Sequence, residues 1–209
     1  QCFRSPVEKL MRFRYFALHK PFGYLSQFSD EAGHPGLLKL KLDLPKDVWP
    51  IGRLDRDSEG LILLSNDNQF KSELLNPDLN HPRHYWAQVE GEPTAIDLQA
   101  FERPMKIKVR KQDFQTKPAY AELMPPPDIH ERVPPIRSRQ SIPTSWIQIS
   151  LTEGKNRQVR KMTAHAGYPT LRLIRVGVGR IELDQLNLAP GTSRELTREE
   201  AFQALNMPE

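Results

Sequence analysis

Along these 209 residues the spacing of apolar and polar positions changes period several times, and each change predicts an element. Arg14 to His19 alternates with aromatic and apolar content and predicts a strand. A Lys20-Pro21-Phe22-Gly23 turn follows, then a second short strand at Tyr24 to Phe28. Leu37 to Leu44 is a short amphipathic stretch ended by Pro45. Val48 to Ile51 leads into GRLDRDSEGLILLSND, residues 52–67, where Leu61 to Leu64 is too short for a helix and reads as a buried strand. Asn66 or Asp67 then caps a helix carrying Phe70, Leu74 and Leu75 on one face, and Pro77 stops it.

Further on, His84 to Gly91 alternates as an aromatic-rich strand, and Thr94 caps a helix with Ile96, Leu98 and Phe101 as its apolar surface. Met105 to Val109 and Ala119 to Leu123 read as a strand pair. Residues 124–143 carry Pro125, Pro126, Pro127, Pro134, Pro135 and Pro143, which predicts an extended surface insertion, either an inert linker or an RNA grip through Arg132, Arg137 and Arg139. Ser145 to Leu151 predicts a strand, Asn156 to Ala166 a helix, and Thr170 to Gly179 a long strand. A last helix, Arg198 to Leu205, starts with the capping box Thr197 and Glu200. Strands and helices mix without a regular β-then-α rhythm, so the expected class is α+β.

Composition narrows the chemistry. Cys2 is the only cysteine, which excludes an intrachain disulfide and a cysteine-based zinc site and fits a reducing cytoplasm. No apolar run approaches the ~20 residues of a membrane span. The first residues hold no signal-peptide core, and a chain opening on Gln1 is expected to be a fragment of a longer one. Net charge is +4, but its distribution says more. Between Leu151 and Arg180 seven bases face Glu153 alone; between Arg103 and Lys117 six face Asp113; the tail from Ile181 has six acids and two arginines. Such segregation points to a phosphate backbone as partner, with a merely solvated basic face as the alternative.

Three motifs carry candidate chemistry. Asp55 sits on a polar turn just ahead of a buried strand, where a carboxylate can be held rigidly, although a lone aspartate in such a place is ordinarily a turn residue. In LTEGKNRQVRKM, residues 151–162, Gly154 turns the chain and a helix is expected to begin close to Lys155, bringing amides and a lysine to one spot. Val159, Met162 and Ala166 form its buried stripe, leaving Arg157, Arg160 and Lys161 on the remaining surface. Tyr85 and Trp86 alternate across one strand, so only one can face a given cleft; Tyr85 is the candidate for stacking on a base, and Trp86 is expected in the core. His81 and His84 flank Pro82 without an acidic partner, and Asp55, Asp57 and Glu59 match a calcium loop only superficially, so no metal is expected.

Together with LRLIRVGVGRIEL, residues 171–183, and RHYWAQVEG, residues 83–91, these motifs resemble the RsuA-type family of RNA pseudouridine synthases over nearly the whole chain from Arg14 onward. The resemblance implies a mainly antiparallel mixed sheet in two lobes flanked by helices, with a cleft across it. Residues 1–13 would be a flexible extension and 14–209 the catalytic domain; no S4 RNA-binding module is expected, because so few residues precede the first strand. It implies isomerisation of a uridine in ribosomal RNA, expected to be 23S rRNA of the large subunit, by a cytoplasmic monomer without cofactor or metal. Asp55 would be the essential carboxylate, attacking C1′ or C6 or assisting elimination to a glycal. Lys155 would pair with it as a point contact, Tyr85 would lie against the base, and Leu173 would be an apolar pocket wall. Arg53 would fill or hold the space of the flipped base, unless it pairs with Asp57 or Glu59; Arg157, Arg160 and Lys161 would bind RNA. A non-catalytic rRNA-binding assembly factor is the competing class, and a glycosidase is disfavoured for want of a second carboxylate.

Overall fold

A computed structural model describes residues 12–136 and 142–205, so the expected extension lies almost wholly outside the described residues, as do Arg137 and Arg139. Eleven strands and four helices follow one another among them: β1 (Tyr15–Lys20), β2 (Trp49–Ile51), β3 (Glu59–Ser65), α1 (Asn68–Leu75), β4 (Arg83–Glu90), α2 (Ala95–Leu98), β5 (Lys106–Val109), β6 (Gln112–Gln115), β7 (Tyr120–Met124), β8 (Thr144–Leu151), α3 (Gln158–His165), β9 (Thr170–Val178), β10 (Ile181–Glu182), β11 (Ser193–Leu196) and α4 (Arg198–Phe202). Nine strands form one mixed sheet in the order β11-β1-β3-β9-β4-β8-β7, with β2 beside β3 and β10 beside β9. The expected α+β class is what the chain adopts.

Strands β1 and β3 are buried along their whole length because both faces of the sheet are covered there. On one face Phe16, Leu18, Ile62 and Leu64 join Ala87, Ile147, Ile149, Val159 and Met162. On the other, Tyr15, Ala17, Leu61 and Leu63 meet Phe70, Leu74, Ile174 and Leu196. Helix α1 is capped by Asp67, whose side chain accepts from the amides of Gln69 and Phe70, and α4 carries the expected capping box. Leu75 and Ile96, expected to be core, are exposed instead.

The sheet has a weak seam. Strands β3 and β9 pair in parallel over two residues only, Glu59 with Ile174 and Gly60 with Arg175, and this is the one parallel contact among the described residues. Beyond it the halves of the sheet part. Gly60 has a φ of +110°, and a Cβ added there would lie 2.2 Å from the carbonyl oxygen of Arg175, so only glycine lets the strands close. Gly60→Ala is expected to cost about 2 kcal/mol or more through strain and overpacking, read as a lower urea midpoint.

Three expected elements differ. Residues 24–28 form no strand: the amide of Leu25 donates to Pro35 and the carbonyl of Gln27 accepts from Leu37, so these groups are satisfied within the loop. Leu37–Leu40 is a single 3₁₀ turn ended by Lys41 at φ 53°. The expected pairing of Met105–Val109 with Ala119–Leu123 is also replaced. Strand β5 folds back on β6 through Arg110 and Lys111, both at positive φ, while β7 pairs with β8. A two-residue turn of that shape normally advertises itself with Asn or Gly, and here the signal is absent. The insertion holds no helix or strand over residues 125–136, and it is packed: Ile129 lies against the core and the carbonyl of His130 accepts from Arg172 at 2.9 Å.

Candidate active site

Asp55 lies on the turn between β2 and β3, and that turn is fastened from both sides. Leu54 exchanges two 2.8 Å hydrogen bonds with the Ser26 hydroxyl, one through its amide and one through its carbonyl. The carbonyl of Arg56 accepts from the Gly23 amide at 2.8 Å, and the buried Lys20 ammonium donates to the carbonyls of Pro21, Tyr24 and Arg56. The Lys20-Pro21-Phe22-Gly23 turn is therefore a brace for the Asp55 turn, a role no local pattern announces. Burial pushes the Lys20 ammonium down to about 7, against the pull of Glu59, Asp57 and Asp55. Between that value and the ordinary 10.5, the unfolded chain binds more protons than the folded one, so stability rises with pH across the window. Urea midpoints across that range should climb for the wild type; Lys20→Met should lack this part of the slope, and equal slopes would remove Lys20 as its source.

A cavity of about 570 Å³ opens where β3 leaves β9. Asp55, Tyr85, Lys155, Arg53 and Leu173 all line it, so the structure brings these five residues to one place from four separate segments. Tyr85 is 8 % exposed and lines this cavity with Leu54, Leu151 and Val159. Trp86, expected in the core, is only half-buried and lines a different cavity together with His84. Arg53 is exposed at the rim. Asp57 and Glu59 are occupied by Arg157 and Arg172, so neither holds Arg53.

The cation beside Asp55 is not the expected one. Helix α3 starts at Gln158, later than expected, after Arg157 in the left-handed conformation at φ 53°. That geometry turns Arg157 onto the Asp55 turn: its Nη1 lies 3.8 Å from Asp55 Oδ2, and both Nη atoms donate to Asp57 at 2.7 and 2.8 Å. Lys155 makes no ion pair with Asp55 among the described residues; its Nζ sits 5.1 Å over the ring of Phe114 on β6. The Gln158 side chain takes up the Lys155 amide at 2.9 Å and donates to Glu153 at 2.6 Å, which fixes the loop ahead of the helix. The expected free amides at Lys155 are thus already used in part.

Arg160 is likewise turned inward. It donates to the carbonyls of Asp57 at 2.7 Å and Thr170 at 3.3 Å, and its side chain is 12 % exposed. Lys161 donates to the carbonyl of Asn156 at 2.7 Å. Arg157 and Arg160, expected to bind RNA, latch α3 to the turn holding Asp55, and Arg157 stays 41 % exposed. Burial works to raise the Asp57 carboxyl, but the Arg157 hydrogen bonds and the charges of Arg160 and Arg157 outweigh it and hold Asp57 below the usual carboxylate range. Arg132 is also engaged, stacked 4.2 Å over Phe22 and donating to Pro134 and Pro135.

Asp55, Tyr85 and several basic side chains thus share one cavity beside a mixed sheet, and comparison with known proteins gives the class. The chain belongs to the family described as RNA pseudouridylate synthase, whose model matches residues 14–165. It is 44 % identical to the Ribosomal large subunit pseudouridine synthase E of Vibrio vulnificus, over 86 % of this chain and 73 % of that one. It is 46 % identical to the protein of the same name from Xanthomonas axonopodis pv. citri, over 81 % and 87 %. A solved structure titled "Crystal structure of pseudouridylate synthase" superposes with a TM-score of 0.72 at 25 % identity, covering 92 % of this chain and 74 % of its own. Among the described residues no helix is long and apolar enough to cross a membrane, and no group of three or more metal-ligating side chains occurs.

Proposed function

We propose that this protein isomerises a uridine of large-subunit ribosomal RNA to pseudouridine, as the names of its relatives state for them. The observation that carries the reading is Asp55: a side chain on a turn fastened from both sides, 28 % exposed in a cavity that Tyr85 and Leu173 also line. In the reaction the N1–C1′ bond breaks, the uracil turns, and C5 joins C1′. The C5 proton leaves and N1 gains one, so atoms balance with no further reactant. Asp55 supplies the carboxylate at the sugar and base, with the Arg157 guanidinium 3.8 Å from it. Tyr85 lies against the base, Leu173 bounds its pocket, and Arg53 occupies the space left by the flipped nucleotide. Lys155 stands at the rim as a phosphate-attracting charge rather than as the partner of Asp55.

The RNA path we infer runs over the β5–β6 hairpin, where Lys108, Arg110 and Lys111 are exposed and Arg110 lines the cavity together with Lys155. Residues 14–209 act as one catalytic domain whose two lobes meet at the β3–β9 seam. We infer that it acts as a monomer in the cytoplasm, where ribosomal RNA is found. Large-subunit rRNA tritiated at C5 of uridine tests this directly. One tritium per modified uridine should be released, and pseudouridine mapping of rRNA from cells with and without the protein should locate the site. Binding without release would favour the assembly-factor reading.

A further inference from the structure

Two arginines on the cavity floor have no part in the scheme above. Tyr85 on β4 and Arg175 on β9 are direct cross-strand partners, and Arg83 lies two residues from Tyr85 on β4. All three line the cavity, so both guanidinium groups share the face that carries the tyrosine. Their protein partners are few. Arg175 donates through Nε to the carbonyl of Leu61 at 2.8 Å, and Arg83 through Nη1 to the carbonyl of His81 at 3.3 Å. Neither has a carboxylate partner among the described residues, whereas Arg172, Arg157 and Arg160 are all matched to acids. Both Nη atoms of Arg175, and Nε and Nη2 of Arg83, are left for another acceptor.

Two like charges on adjacent strands repel, and in a half-enclosed cavity that repulsion is poorly screened. Burial pushes the Arg83 guanidinium down, Tyr85 opposes this, and the charge of Arg175 adds to it. Two guanidinium groups without a carboxylate partner among the described residues, in the cavity that Tyr85 also lines, are arranged for an anion. In an RNA substrate the anion is the phosphodiester, and the guanidinium fork fits two of its oxygens.

We propose that Arg83 and Arg175 form a phosphate subsite that grips one phosphodiester of the RNA strand next to the target nucleotide. This rests on the isomerase reading and deepens it. The exposed cations at the rim, Arg53, Arg110 and Lys155, draw the strand in by its overall charge. The floor pair instead fixes one linkage in position against Tyr85, so that the flipped nucleotide is held by its backbone as well as by its base.

Retention of a large-subunit rRNA transcript on filters, measured from low to moderate salt, tests the subsite. Arg83→Gln should weaken binding about tenfold at low salt and make the slope of log affinity against log salt shallower by about 0.7 to 0.9, the value of one phosphate contact. Arg83→Lys should recover the slope but only part of the affinity, because a point charge replaces a fork. Arg175→Gln should act in the same direction; since Arg175 is buried, urea midpoints decide whether its loss reflects binding or folding, and Arg83 carries the test. A folded Arg83→Gln protein with unchanged affinity, or with weaker binding but an unchanged salt slope, would overturn the proposal. Absence of tritium release by the wild type would instead sink the isomerase reading, while the filter assay would still report on Arg83. Failure of the wild type to retain the transcript at all would overturn both.

Discussion

Asp55→Asn should fold like the wild type and release tritium from C5-labelled rRNA at less than about one thousandth of the wild-type rate, the scale on which loss of a reacting group acts. The fold should be indifferent because the turn is held by main-chain and neighbouring groups. Ser58 donates its amide to the carbonyl of Asp55 at 3.0 Å, Ser26 holds Leu54, and Lys20 and Gly23 hold Arg56. The Asp55 carboxylate itself makes only the 3.8 Å approach to Arg157, so the amide replacing it leaves no buried charge unmatched. Asp57 is the informative control. Its carboxylate accepts both Arg157 donors, so Asp57→Asn should loosen α3 and lower stability as well as rate. Undiminished release by a folded Asp55→Asn protein would take Asp55 out of the mechanism.

The second large effect concerns stability. Arg172→Met should cost about 3 to 5 kcal/mol, because it strands the Glu59 carboxylate in the interior. Arg172 reaches Glu59 with Nε at 2.9 Å and Nη2 at 2.8 Å, and the two side chains are 7 % and 4 % exposed. The pair spans the seam where β3 meets β9, with Glu59 opposite Ile174, and the same Nη2 also holds the insertion through the His130 carbonyl. Against a typical domain stability of about 5 to 15 kcal/mol, such a loss should be plain in urea denaturation. Adding Glu59→Gln to Arg172→Met should return part of it by removing the unpaired charge. A loss below about 1 kcal/mol for Arg172→Met alone would mean that water reaches Glu59 and that the seam is not sealed.

Much of this was legible in the residues. Period and punctuation located β1, β3, β4, β8 and β9, and the caps of α1 and α4 fell on the expected residues, because these features depend on neighbours within a few positions. The candidate site was legible through its motifs: Asp55, Tyr85, Lys155, Arg53 and Leu173 do line one cavity. What misled was charge. A helix sequence tells which side chains are polar and not what stands opposite them, so Arg157 and Arg160 read as an open basic face when they are bonded to a turn a hundred residues earlier. Lys20 read as turn punctuation, since nothing local marks a lysine as fully buried. The Arg110–Lys111 turn lacked its usual residues, and with it went the pairing of β5.

By itself, then, the sequence determined which short segments are strands and helices, which carboxylate stands on a rigid turn, and the family to which the chain belongs. Only the tertiary structure decided that Arg157, not Lys155, stands nearest Asp55, that Glu59 and Arg172 pair across the seam, and that Arg83 and Arg175 line the same cavity as Tyr85. The physical reason is the range of the forces involved. Periodicity and capping act over a few residues along the chain, whereas ion pairing and burial depend on distances in space that strand order alone brings about.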